Sequence, residues 1–233
     1  MSLFDPHKKL EKLSLFVDSA RSGEENMAID EALVSSGCGP ALRFYRWLQP
    51  TISLGYFLRF TDAANRHGSN FDYVRRWTGG GTVEHGAKET WTYSLVLPSS
   101  CGLAKIRARL LYGEVHRALS RVLINDETFD EAGSEEGKSN PAGACFANPV
   151  AGDLLREGQK IAGAAMRRSR SGILLQGSVR GVRREDTVPE RFAGTLAKVV
   201  VSFDPFSDVS KFESAVDGLR RTRYGTRHWL ESR

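Results

Sequence analysis

The chain has 233 residues, 40% hydrophobic and 26% charged, values of a globular domain long enough to bury a substantial core. No apolar run reaches membrane-span length and the first nine residues hold no signal-like apolar stretch, so the expectation is one soluble, cytoplasmic domain spanning 1–233, with no membrane partner. A net charge of +5 and a pI of about 9.2 admit an acidic protein or phosphorylated ligand, and no recognised nucleic-acid motif points to nucleic acid.

Residues 1–13 are polar and lysine-rich and are expected to be loosely held. Leu15-Phe16-Val17 reads as a short strand, and Asn26 to Val34 as a helix capped by Asn26. Ala41 to Trp47 alternates apolar and basic residues as a half-buried strand does. Thr51 to Phe57 reads as a second strand, with Gly55 marking a close approach. A polar helix over 61–68 is followed by a strand, Phe71 to Arg76, and a strand of high β propensity runs from Trp91 to Leu97. Ile106 to Leu123 carries an apolar stripe at helical spacing. Residues 125–143 are acidic, rich in Gly and Ser, and read as a flexible surface loop. Strands follow around Asp153 to Arg156, Gln159 to Arg168 and Ile173 to Val179, with a tight turn at Glu157-Gly158 and a last helix over 212–221. Many strands with helices segregated between them predict an α+β fold with mixed or antiparallel sheets.

The chemistry concentrates in Arg75-Arg76-Trp77-Thr78-Gly79-Gly80-Gly81-Thr82-Val83-Glu84-His85. Consecutive glycines clear every Cβ from one side of a backbone, so a ligand can lie against peptide N–H groups. The arginines offer forked donors for a carboxylate or phosphate. A glycine-rich hairpin with solvated arginines fits the same residues. Three cysteines, Cys38, Cys101 and Cys145, form neither a CxxC pair nor a zinc spacing, so no metal is expected.

The segment resembles the signature of the lipoate-protein ligase A and octanoyltransferase group within the biotin/lipoate A/B protein ligase family. Asn26 to Leu33, Leu42-Arg43-Phe44-Tyr45, Ser53 to Phe57 and Gly158-Gln159-Lys160-Ile161-Ala162-Gly163-Ala164-Ala165 match other family segments in order, so the resemblance covers roughly residues 15–180. It implies a class II synthetase-like α+β catalytic domain that attaches an octanoyl or lipoyl chain to a lysine of a lipoyl carrier domain, such as the glycine cleavage H protein or an E2 subunit. It also implies an acyl pocket walled by Arg75, Arg76, Thr78, Gly79, Gly80, Gly81, Val83, His85, Gly163, Ala164 and Gln176, with Lys160 at the acyl carbonyl. On its residues alone Lys160 is equally a solvated hairpin lysine.

Two chemistries divide such a family. Transferases take octanoate from acyl carrier protein through a cysteine thioester and need no cofactor; ligases use ATP and Mg²⁺ to make lipoyl-AMP. Cys145, in Ala144-Cys145-Phe146 and fifteen residues before Lys160, resembles the nucleophile segment of the transferases. A buried structural thiol is the alternative. Large ligases of the family carry a C-terminal accessory domain; about fifty residues follow Val179, and the expectation is that no such domain is present. Tyr224-Gly225-Thr226 with Trp229 resembles instead the end of split ligases, whose accessory domain is a separate chain. Gln176 stands where the family usually has histidine and Gly86 where it commonly has aspartate, which keeps a non-catalytic acyl- or carrier-binding protein as a third reading.

Overall fold

The structure is a computed structural model and describes residues 3–4, 9–86, 90–123, 130–131, 149–181, 185–207 and 209–233. Strands Leu10–Arg21 (β1), Ala41–Trp47 (β2), Thr90–Pro98 (β6), Asp130–Glu131 (β7), Leu154–Arg156 (β8), Gln159–Arg168 (β9), Gly172–Arg180 (β10) and Ala197–Ser202 (β11) form one sheet, ordered β11-β1-β2-β6-β10-β9-β8-β7. The pairings of β1 with β11 and β2 are parallel, and those of β6, β8, β9 and β10 are antiparallel. A smaller sheet joins Asp72–Arg75 (β4), Thr51–Leu54 (β3) and Val83–His85 (β5) in the order β4-β3-β5. The fold is therefore mixed α+β, as its pattern of segments predicts.

Alternation along the strands sends side chains to two cores. Leu42 and Phe44 of β2 join Leu111, Val115 and Leu119 of helix Ala108–Leu123 (α3) and Phe192 of helix Val188–Leu196 (α4) on one face. Ala41 and Tyr45 turn the other way, towards Met27, Ile29 and Leu33 of helix Gly23–Ser35 (α1) and Val216 of helix Val209–Leu219 (α5). Short helices Phe60–His67 (α2) and Arg227–Leu230 (α6) complete the chain.

Several expectations shift. Residues 10–13 are not loosely held: β1 begins at Leu10 and Leu13 is wholly buried, because β1 gains a parallel partner, β11, from 187 residues further along. Phe4 is also in the core. Helix α1 starts earlier than its apolar pattern suggests. Ser22 accepts from the backbone of Glu25, and the Glu25 carboxylate accepts from the Ser22 N–H, closing a capping box. Asn26 is therefore not the cap; it is buried and hydrogen-bonds Arg43. β3 stops at Leu54, and α3 starts at Ala108 after a 3-10 turn over Gly102–Lys105. Helix α5 leads into a π-helical turn, Arg220–Tyr224. Apart from β7, the expected loop over 125–143 lies outside the described residues.

Candidate functional site

Strands β3, β4 and β5 carry the arginine–glycine segment against β9 and β10, with Gly80 near Ala165. Gly55 and Gly80 touch here: a Cβ on Gly55 would lie 1.9 Å from the Gly80 carbonyl oxygen. Gly80 itself holds φ at 88°, in the region glycine favours. Arg76 fastens the loop from inside, donating to the carbonyls of Gly79 and Gly81 at 2.9 and 2.7 Å and to Ser53 O and Oγ at 2.7 Å each.

Between the loop and the sheet lies a narrow, mostly apolar cavity of about 30 Å³. Arg76, Gly80, Val83 and His85 form one wall, and Gly163, Ala164, Gln176 and Ser178 the other. Met27, Tyr45 and Trp47 close it. The alanines and glycines of β9 keep side chains out of the slot. Gly163 and Ser178 are direct partners in the β9–β10 ladder, as are Ala165 and Gln176.

His85 is buried and stacked on Trp47, ring centroids 3.9 Å apart. Its Nε2 meets Ser53 Oγ at 2.7 Å; with Arg76 donating to that oxygen, the hydroxyl proton is assigned to Nε2 and the ring proton to Nδ1, 3.5 Å from Thr92 Oγ1. Burial, then the charges of Arg76 and Arg180, hold the imidazole well below its ordinary pKa. A neutral His85 is a wall and a spacer, not an acid at neutral pH.

Thr78 does not line the cavity; it donates to Gln176 Oε1 at 2.6 Å, and Gln176 Nε2 donates to Asp30 Oδ2 at 2.7 Å. Asp30 also accepts from Tyr45, Ser94 and Arg43, and Arg43 continues to Asp18. A buried chain of hydrogen bonds thus runs from α1 to the glycine loop. Gln176 fills the family's histidine position with an uncharged amide that donates to one neighbour and accepts from the other.

Arg75 is the clearest departure. Expected as a fork on the pocket wall, it points away and donates to five backbone carbonyls, those of Gly55, Tyr56, Leu58, Trp229 and Leu230. Trp229 Nε1 returns a bond to the Arg75 carbonyl at 3.0 Å. Its charge neutralises helix-end and loop carbonyls.

Lys160 is buried at the pocket flank, its Nζ 2.7 Å from Asp153 Oδ2, both side chains almost wholly covered. Glu157 and Gly158 both adopt positive φ, the two-residue hairpin turn that swings β9 back on β8 and brings residue 160 beside 153. Asp153 Oδ2 also accepts from Val150 N at 2.7 Å; its Oδ1 accepts from the Tyr112 hydroxyl, which accepts from Ala164 N at 3.0 Å. Burial and then Asp153 raise the Tyr112 pKa well above the ordinary value, so it stays a donor. The lysine tip lies over Gly163, where a Cβ would come within 2.4 Å of Cε and 2.6 Å of Nζ. Sequence reasoning read Asp153 only as part of a strand. Its signal was a carboxylate seven residues before Lys160 across a tight turn. Cys145 lies outside the described residues.

The model of the lipoyl protein ligase A/B catalytic domain matches residues 22–180. The chain belongs to that family. Among curated members, the octanoyltransferase LipM of Oceanobacillus iheyensis is 33% identical over 180 residues, covering 72% of this chain and 64% of its own. The LipM of Brevibacillus brevis is 34% identical over 189 residues, covering 73% and 66%. The chain therefore spans slightly less than two thirds of the length of either. A lipoate-protein ligase A bound with ATP superposes with a TM-score of 0.67 at 19% identity, covering 95% of this chain and 98% of its own. A bi-partite lipoate protein ligase from Thermoplasma acidophilum, described with its E2 lipoyl domain, gives 0.57 at 20%, covering 95% and 96%. At such identities the two structures show that the lipoyl ligase-family catalytic fold is shared. No described helix is long and apolar enough to cross a membrane.

Proposed function

We propose that this lipoyl ligase-family chain is an acyltransferase that moves an octanoyl or lipoyl group from a thioester onto a lysine of a lipoyl carrier domain. The observation that carries the reading is an apolar slot between the glycine loop and β9 with the Lys160 ammonium over Gly163 on its wall. An acyl chain occupies the slot between the glycine loop and β9. Its carbonyl lies near Lys160, where a positive charge stabilises the oxygen as the carbonyl carbon becomes tetrahedral. The acceptor amine bonds to that carbon, the C–S bond breaks, and the proton lost by the amine goes to the departing sulfur. The resemblance of its segment makes Cys145 the thiol that carries the acyl group in between. Identity to the LipM octanoyltransferases supports the donor chemistry, with acyl carrier protein as the source and no cofactor required. The E2 lipoyl domain described with the T. acidophilum ligase supports the class of acceptor.

The ATP-bound ligase neighbour motivates the second reading, a ligase catalytic chain working through lipoyl-AMP with ATP and Mg²⁺. Arg75 weighs against it as a phosphate fork, because its guanidinium is already committed to five backbone carbonyls.

Intact-protein mass spectrometry after mixing with octanoyl-acyl carrier protein, without ATP, tests the proposal. A hydroxylamine-labile gain of one octanoyl group, lost in Cys145→Ser, is expected. No adduct, together with ATP-dependent acylation of a lipoyl domain, would overturn it in favour of the ligase.

A further inference from the structure

Nearly every polar side chain on the pocket wall is already engaged. Arg76 is turned to the glycine loop, His85 pairs with Ser53, Thr92 accepts from Trp47, and Gln176 bridges Thr78 and Asp30. Ser178 differs. It lines the cavity and is 5% exposed, yet among the described residues its Oγ has no hydrogen-bond partner. A buried hydroxyl left unsatisfied costs folding free energy, and in a pocket wall a bound molecule can supply the missing partner.

The ladder shows what it faces. Ser178 is the direct partner of Gly163, and directly opposed residues of antiparallel strands hold their side chains about 5 Å apart. Lys160 Nζ covers the point where Gly163 would carry its Cβ. The ammonium of Lys160 and the hydroxyl of Ser178 therefore flank one spot on the wall, on the same strip of β9 and β10.

We propose that Ser178 is a second carbonyl-binding catalytic residue, its Oγ–H donating to the acyl carbonyl oxygen beside Lys160. This rests on the acyl-transfer reading and deepens it. A carbonyl oxygen has two lone pairs, and as it becomes an oxyanion it gains most from two fixed donors. Lys160 supplies charge; Ser178 supplies a neutral hydrogen bond that fixes the direction of the carbonyl and hence the face open to the amine.

The test compares wild type, Ser178→Ala and Ser178→Thr in octanoyl transfer to a lipoyl domain, in thermal stability, and in calorimetric binding of octanoate, whose carboxylate stands in for the carbonyl. Ser178→Ala is expected to lower kcat by about 10²-fold, the scale of losing one oxyanion donor, with KM within about threefold. Its melting temperature should be unchanged or higher, since an unsatisfied buried hydroxyl has been removed. Octanoate affinity should fall about tenfold, and Ser178→Thr should restore most of both losses. A kcat within threefold of wild type, or a kcat loss that comes with a lower melting temperature, overturns the assignment. Should wild type transfer no octanoyl group, the transferase reading fails and octanoate binding decides for Ser178 alone. Equal affinity of wild type and Ser178→Ala, or no binding by either, then sinks it, and a tenfold loss sustains it.

Discussion

Lys160 and Asp153 form a buried ion pair, and such pairs behave asymmetrically: removing one partner leaves an uncompensated charge, whereas removing both does not. Asp153→Asn and Lys160→Met are therefore each expected to cost about 3–5 kcal/mol, and the double variant Asp153→Asn/Lys160→Met appreciably less than their sum. Denaturant unfolding of the four proteins checks this; strictly additive losses would show that the two side chains are not coupled. His85 sets a pH dependence with a definite sign. Its folded pKa lies well below its ordinary 6.5, so between the two values the unfolded chain binds the proton and the folded chain does not. This contribution makes stability level above about pH 6.5 and falling below it, by at most ~1.4 kcal/mol per pH unit. The His85→Gln variant should show a smaller loss of melting temperature between pH 7 and pH 5 than wild type. The residue types at both positions were legible in the sequence. Their partners were not, because Asp153 and Trp47 reach them only through hairpin and sheet geometry.

Among the elements, the glycine loop is shaped by contact, not by flexibility. Gly55→Ala places a methyl carbon against the Gly80 carbonyl and is expected to displace the loop, abolishing acyl transfer. Gly163→Ala meets the Lys160 tip and, at 3.1 Å, Asp153 Oδ1, so it should push the buried pair apart, lowering kcat and, by differential scanning calorimetry, the melting temperature. Helix α6 is pinned to β4 by Arg75, which reaches Trp229 and Leu230. Charged hydrogen bonds of this kind contribute about 1.5–3 kcal/mol each, and Arg75→Ala would leave several carbonyls unpaired. Its melting temperature should fall by roughly 6–12 °C, as a loss of about 3 kcal/mol gives in a chain of this size. A fall below 2 °C would show that the clamp is dispensable. The alternating and stripe-bearing segments were readable as strands and helices. Strand β11 and helix α4 were not, since β11 leaves Val199 and Val201 exposed and acquires its identity only by pairing with β1.

For the molecule as a whole, on the acyl-transfer reading proposed above, a net charge of +5 would favour encounter with an acidic carrier domain. Raising ionic strength from 50 to 200 mM should increase KM for the carrier while leaving kcat nearly unchanged; an insensitive KM would exclude steering by charge. By itself the sequence determined the class of fold, the glycine loop with its two arginines, the lysine strand and the family, because these are carried by side-chain period, turn residues and ordered local motifs. Only the tertiary structure decided which of two adjacent arginines faces the slot and which clamps the C-terminal turn. It also decided that Asp153 holds Lys160 and that Ser178 stands uncommitted beside them. The physical reason is range: periodicity and turn chemistry act within a few residues, whereas a buried charge or hydroxyl is defined by neighbours that the sheet brings from far along the chain.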